Sequence, residues 1–400
     1  MSQLNPVIVT DVRYRMSLPI IRALGREKLS VICAERTICD RKAALGFYSK
    51  YSSENTLLTD AAEDVDGFIE DLKALCEKQT QRPVVIPVGI ATLLAMCGRR
   101  EEISAFADVA LPSLESIELA NDKSRLIPFA DELGVPVPQT AFIKDSESIE
   151  AFSARTAYPA VIKLPRGEML GLAPDDRYKI VSSPEEFIAC YKKFSSLDDS
   201  ILVQQYIKGD GYGVSAVFDK NGEPLEIFCH HRLREYPATG GPSCFCESAD
   251  MPELADYAVK LLKALGWTGV AMVEFKGNPD DGFYLMEINP RFWGSSGLAP
   301  NSGCNIPLAL YRASRGETAT PYSTFKPNYK VGHKMRFLLQ DLLSFSAYIK
   351  KSSNKLRFAL SFFAGLLNPM ISDGVLDIRD LRSSAQYLRQ ALKKTDSIVR

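Results

Sequence analysis

The sequence has almost no net charge: its 400 residues set 48 lysines and arginines against 49 aspartates and glutamates, a formal net charge of -1. A chain without a surplus of either sign has no overall attraction to nucleic acid or to an anionic membrane, so a partner rich in phosphates is disfavoured. A zinc-binding cysteine pattern is also missing. The nine cysteines are scattered, and Cys244 and Cys246 stand too close together for a ligand knuckle, so reduced thiols are expected. MSQLNPVIVTD enters an apolar strand with no basic segment before it, which is unlike a secretory signal and leads to the expectation of a cytoplasmic protein. Long apolar runs are absent. The stretch 358–371 comes nearest, but Ser361, Gly365, Asn368 and Pro369 interrupt it. It falls short of the roughly 20 residues that a span requires, so no membrane span is expected and a buried or amphipathic helix is.

What is present suits a soluble protein with two or three domain cores: 46% hydrophobic and 24% charged residues. Residues 1–112 alternate short β-branched runs with helical patterns, the signature of a parallel sheet covered by helices. Strands are expected over 7–11, 31–35 and 84–88, with Ser17 and Asp64 placed to cap the intervening helices. Ligands on such sheets bind beyond the carboxyl ends of strands, which singles out the loops 11–17 and 89–92. A helical stretch over 115–133 begins a small α+β lobe, 113–200, with strands at 140–143 and 160–164 and helices opened by Ser148 and Ser183-Pro184. A second lobe, 201–320, carries long strands, a helix over 252–265 and the strand pair 270–276 and 283–289. Residues 321–400 read as a helical extension, with helices at 331–350, 356–367 and 378–393, placed either to cap a cleft or to form a homodimer interface.

The segment VEFKGNPDDGFYLMEINPR carries the most chemistry. Its apolar runs flank a turn and form an antiparallel hairpin, bringing Glu274 close to Glu287, while the two-residue spacing sets Glu287 and Asn289 on one face. Magnesium takes hard oxygen ligands, usually one or two carboxylates and the phosphates of its substrate, and this trio supplies such a set. Arg291 follows at once and can reach a transferring phosphoryl group.

This arrangement resembles the metal-binding segment of ATP-grasp ligases, the superfamily of carbamoyl-phosphate synthetase, biotin carboxylase and D-alanine ligase. Further matches occur in the family's order: Lys123 in NDKSRLIPFADELG, Lys163 in YPAVIKLP, a sparse glycine loop with Gly167 and Gly171, and the hinge LVQQYIKGDG. The resemblance implies an N-terminal parallel α/β domain, two grasp lobes with ATP between them and a helical extension. It assigns ATP to Lys123, Lys163, Gly167, Gly171, Gln204, Gln205 and Ile207, and one or two magnesium ions, with manganese as a substitute, to Glu274, Glu287 and Asn289.

Between hinge and metal segment lies HHRLREYPATGGPSCFCES. Its local positive charge and Gly-Gly turn suggest a substrate loop, and in the carboxylate–amine ligase branch a similar Arg-x-Arg precedes such a turn. Arg232, Arg234, Gly241 and Ser295 are therefore expected to contact substrate, with Arg232 and Arg291 acting in catalysis. Adjacent strand residues face opposite ways, so at most one of His230 and His231 can face a cleft. The expected reaction joins a small carboxylate to an amine through an acyl phosphate. Alternatives are a bicarbonate-activating carboxylase or carbamoyl-phosphate-type enzyme, disfavoured by the missing Met-Lys-Met segment and the single grasp module, and a non-catalytic ATP-binding regulator.

Overall fold

Three sheets organise the chain, and their strands order the loops around one cleft. The computed structural model describes residues 5–143, 148–164, 176–197, 201–238 and 240–399, with side chains as far as 392. In the first sheet, apolar runs buried on both faces pair in parallel. Its strands β1 (Val7–Val9), β2 (Val31–Arg36), β3 (Ser52–Leu58) and β4 (Val84–Ile86) lie in the order β3-β2-β1-β4. β3 has no counterpart in the sequence pattern because it is a half-exposed edge strand with the polar sequence SSENTLL, held through its backbone by β2. Asp64 caps the helix Val65–Glu77 as expected. Ser17 caps nothing: the N-cap of Ser17–Arg26 is Met16, and the Ser17 hydroxyl donates to the Asp11 carbonyl at 2.9 Å. The Asp11 carboxylate accepts from Gly89 N–H at 2.9 Å and from the Thr10 hydroxyl at 2.7 Å, tying the two strand-end loops together.

The expected helical stretch 115–133 divides in two. Asp122 ends the helix Leu114–Asn121, and its side chain accepts from Ser124 N–H to cap Lys123–Glu132, so Lys123 opens a helix. An antiparallel sheet follows, built from β5 (Thr140–Phe142), β6 (Ala160–Lys163), β7 (Tyr178–Val181) and β8 (Leu202–Gln205) in the order β5-β8-β6-β7. Because β8 belongs here, a boundary at 200 falls before the last strand of the small lobe. Ser148 and Ser183 cap the helices Ile149–Arg155 and Pro184–Phe194 that cover this sheet. Their apolar faces make a core of their own, with Phe152, Ile162, Phe187 and Phe194.

The third sheet has seven strands: β9 (Asp210–Phe218), β10 (Pro224–Glu235), β11 (Ser243–Ser248), β12 (Gly269–Asn278), β13 (Gly282–Asn289), β14 (Lys334–Arg336) and β15 (Ser372–Asp373). Their order is β13-β12-β9-β10-β11-β14-β15. The tail beyond 320 is thus not purely helical: two of its segments complete this sheet, and β14 occupies residues read as helix from sequence. The tail also returns to the first domain, where buried Arg22 donates to Asp380 at 2.9 Å, to the Val375 carbonyl at 2.7 Å and to Ser383 at 2.9 Å. The first and third sheets share one continuous core, whereas the small lobe's core is separate. A lobe packed in this way can pivot over its neighbour as a unit.

All nine cysteines are free and eight are buried. Among the described residues no helix is long and apolar enough to cross a membrane.

Candidate active site

The β12–β13 hairpin turns where the Asn278 side-chain oxygen accepts from the N–H groups of Asp280 and Asp281, both at 2.9 Å. The resulting register sets Glu274 opposite Glu287 and Met272 opposite Asn289. Residues opposite one another in an antiparallel pair share a face, so the expected trio converges. The Asn289 amide donates to Glu274 at 3.1 Å and to Glu287 at 3.4 Å. Two cations complete the group. Lys123, at the start of its helix, reaches Glu287 at 3.1 Å, and Arg232 reaches Glu274 at 2.5 Å.

These neighbours drive the two carboxylates apart. Lys123 above all holds Glu287 well below the usual carboxylate range, with Lys163 and Arg232 assisting. Burial raises Glu274 despite the opposing pull of Arg232, and repulsion from Glu287 adds to the rise. Burial, with repulsion from Lys123, lowers Lys163 on β6 to about 7.

The room for Arg232 comes from the strand beneath it. Across the sheet, Glu274 pairs with Gly213 and Gly213 with His230. A Cβ on Gly213 would lie 2.2 Å from the His230 ring, and one on Gly211 would lie 2.9 Å from Arg232 Cδ. Two glycines in β9 therefore let these side chains lie flat over the strand. Among the described residues neither ring nitrogen of His230 has a hydrogen-bond partner of proper geometry, although the Gly213 backbone is close enough to favour the protonated ring slightly. Burial outweighs this, Arg232 adds repulsion, and His230 falls to about 3, so the ring is neutral. His231 points to the other face, between Asp210 at 3.0 Å and Glu247 at 3.4 Å.

The remaining expected residues divide. Arg234 does not join Arg232: a bulge between them shifts the register against β11, and Arg234 instead makes a two-pronged pair with buried Asp341 at 2.7 and 2.9 Å. It is a structural tie to the tail rather than a substrate ligand. Gly241 closes a turn, donating its N–H to the Pro237 carbonyl at 2.9 Å, and a Cβ there would lie 2.3 Å from the Tyr236 backbone. That geometry explains the glycine without a substrate. The turn does border the cleft, since Tyr178 of the small lobe donates to the Gly240 carbonyl at 3.3 Å. Arg291 donates to the Phe292 carbonyl at 3.1 Å just beyond the trio. Ser295 is buried, and its carbonyl accepts from Leu298 N–H at 3.0 Å. At the hinge, the Gln204 side chain is committed to the Thr140 hydroxyl at 2.9 Å, and Gln205 N–H to the Gln139 carbonyl at 2.8 Å, while Ile207 is buried. Gly167 and Gly171 lie outside the described residues.

Ser215, Trp293 and Arg15 were not legible in the sequence. Ser215 pairs with Met272, which pairs with Asn289, so its buried hydroxyl, without a partner among the described residues, shares the carboxylate face. Trp293, and Ser296 beside the expected Ser295, also carry buried side-chain polar atoms without hydrogen-bond partners among the described residues. Arg15, in the strand-end loop of the first domain, lays its guanidinium over the Phe337 ring at 4.1 Å and points at Gly294. The only available signal for it was its place beyond a parallel strand.

A small lobe folded over a larger antiparallel sheet, with this cationic and carboxylate cluster between them, is the ATP-grasp fold. Residues 198–335 match the family described as "ATP-grasp in the biosynthetic pathway with Ter operon". Over 179 residues the chain is 26% identical to a D-alanine–D-alanine ligase of Pseudomonas fluorescens, covering 43% of this chain and 53% of that one. The chain thus spans about half the length of the curated relatives it matches. The fold resembles biotin carboxylase of Campylobacter jejuni, with TM-score 0.63, 18% identity and coverage of 83% of this chain and 75% of that one. It also resembles L-amino acid ligase of Bacillus licheniformis, with TM-score 0.56, 16% identity and coverage of 80% and 77%.

Proposed function

We propose that the chain is an ATP-dependent carboxylate–amine ligase that forms an amide or peptide bond through an acyl phosphate and releases ADP and phosphate. The observation that carries this reading is the Glu274–Glu287 pair, held together with Asn289 and bracketed by Lys123 and Arg232. Magnesium fits the donor set. Among the described residues no group of three or more His, Cys, Asp or Glu can hold a metal ion. Two carboxylates and an amide do not make a complete cage, and magnesium characteristically shares its shell with substrate phosphates. An amide can also present its oxygen where it now presents its nitrogen. Glu274, Glu287 and Asn289 would hold the ion, with manganese as a substitute, and the ion would supply positive charge to the phosphates.

The chain's own groups do the rest. Lys123, whose helix packs into the large core through Leu126 and Ala130, and Lys163, on β6 of the small lobe, offset phosphate charge, and Arg291 offsets charge on the transferring group. Backbone groups near Gln205 and Ile207 border the adenine position. A substrate carboxylate oxygen attacks the γ-phosphorus as the bond to the ADP oxygen breaks; an amine then displaces phosphate and loses a proton. Neutral, buried His230 offers an unprotonated nitrogen on the same face. The work suits the cytoplasm, with small-molecule substrates and no nucleic acid, and a homodimer is compatible with it.

Biotin carboxylase likeness favours one other reading, activation of bicarbonate. Phosphate release from ATP should be measured across single and paired amino acids, dipeptides and simple carboxylates, with bicarbonate as a separate arm. Release that needs a carboxylate–amine pair supports ligation. Release with bicarbonate alone transfers the assignment to the carboxylase type, and ATP binding without release under any addition points to a regulator.

A further inference from the structure

The interrupted apolar stretch near the C-terminus is not buried. In the helix Lys355–Leu366 Phe362 is the one buried residue, while Leu356 is 71%, Leu360 64% and Phe363 54% exposed, and Leu367 just beyond is 86% exposed. Spaced by four, three and four residues, these side chains form one stripe along the helix. Leu343 on the neighbouring helix Leu338–Lys351, 57% exposed, and Met370, 62% exposed, extend the apolar surface. So much exposed aliphatic surface on one hairpin marks an interaction site.

Charge identifies the partner. Between Asp341 and Asp373 the sequence contains Lys350, Lys351, Lys355 and Arg357 and no acidic residue, although the whole chain is close to neutral. All four cations are exposed, with Lys351 also donating to the Ala238 carbonyl at 3.0 Å. In a symmetric contact between two copies, this patch would meet itself and set four cations against four with nothing to offset them. An anionic lipid surface offsets them and accepts the leucines below its headgroups, the arrangement of an interfacial amphipathic helix.

We infer that the hairpin of helices Leu338–Lys351 and Lys355–Leu366 docks the protein peripherally on anionic membranes. Co-sedimentation of the full chain with phosphatidylcholine vesicles, with and without about a third phosphatidylglycerol, tests this. Roughly tenfold more protein should pellet with the anionic vesicles, and added salt should release it. The double variant Leu356→Glu with Leu360→Glu changes two exposed positions and should lose binding while keeping its Tm; Lys350→Glu with Lys355→Glu should weaken it and reduce its salt dependence. Equal pelleting with both vesicle types, none with either, or undiminished binding by the leucine variant overturns the inference. So does light scattering that shows a dimer converted to a monomer by the leucine variant, which would make a second copy the occupant.

Discussion

Arg232 Nη2 lies 2.5 Å from Glu274 Oε1, and its side chain reaches there by crossing β9 over Gly211. The arginine therefore acts on the proposed metal-binding carboxylate before it acts on any substrate. Arg232→Ala leaves Glu274 buried without its cation. The expected outcome is a changed magnesium requirement for phosphate release, with substrate KM moving less. A titration of rate against magnesium for both proteins checks this; a shift confined to substrate KM would restore Arg232 to the role of substrate ligand.

Glu287→Gln keeps the size of the side chain but removes the charge that Lys123 and the magnesium site share, and replaces one of its two accepting oxygens by a donor. Turnover should fall on the order of a hundredfold or more while the fold persists. Phosphate release together with a thermal melt separates the two effects. Near-normal turnover would overturn the metal assignment.

Lys163 has a consequence for pH. Its pKa is lowered to about 7 in the free protein, so at pH 8 it is mostly neutral, and phosphates arriving beside it raise that pKa again. ATP binding near pH 8 should take up a proton, and affinity should decline as pH rises above about 7 while staying flat just below it. Calorimetry in two buffers of different ionisation enthalpy reads the uptake. Lys163→Met should abolish the buffer dependence, whereas uptake that persists in that variant would assign the proton to another group.

The convergence of the trio and the place of Lys163 were legible because each depends on local pattern: a hairpin turn, a two-residue spacing, a cation interrupting an apolar strand; Lys123 was singled out by the family resemblance alone. What stayed hidden depends on register between distant strands. The bulge that parts Arg232 from Arg234 is set by pairing with β11, and Arg234's partner Asp341 lies 107 residues away. The same holds for β14 and β15, three and two residues long, which complete a sheet whose other strands lie far earlier. Short strands of this kind carry no periodicity, and nothing local marks the sheet that will receive them.

The Arg234–Asp341 pair is fixed by two hydrogen bonds, with the aspartate side chain fully buried and the arginine side chain 13% exposed. Removing Arg234 leaves Asp341 buried with the more distant Arg336, at 3.8 Å, and removing Asp341 leaves Arg234 and Arg336 without their carboxylate, at a cost of about 3 kcal/mol in either case. Arg234→Ala and Asp341→Ala should each lower stability by that order in denaturant melts, and the double variant should lose less than the sum. Catalytic constants below the melting range should hardly change. A large rise in substrate KM at unaltered stability would return Arg234 to the substrate loop.

Arg15 reaches from the first domain to the loop that follows the trio. Apart from chain neighbours, its Nη2 is the sole described atom within 4 Å of where a methyl on Gly294 would sit, at 3.8 Å. Two residues further on, the Ser296 hydroxyl is buried without a partner among the described residues. Arg15 has no ion pair among the described residues, and its guanidinium is steadied only by the Phe337 ring. A planar cation stacked on an aromatic ring, with an unsatisfied hydroxyl two residues beyond the glycine it approaches, suits a substrate carboxylate. Arg15→Ala should raise the KM of one of the two substrates roughly tenfold and leave ATP affinity unchanged, and Arg15→Lys should recover part of the loss. If Arg15 merely packs on Phe337, the alanine variant will instead lower Tm and leave both KM values where they were.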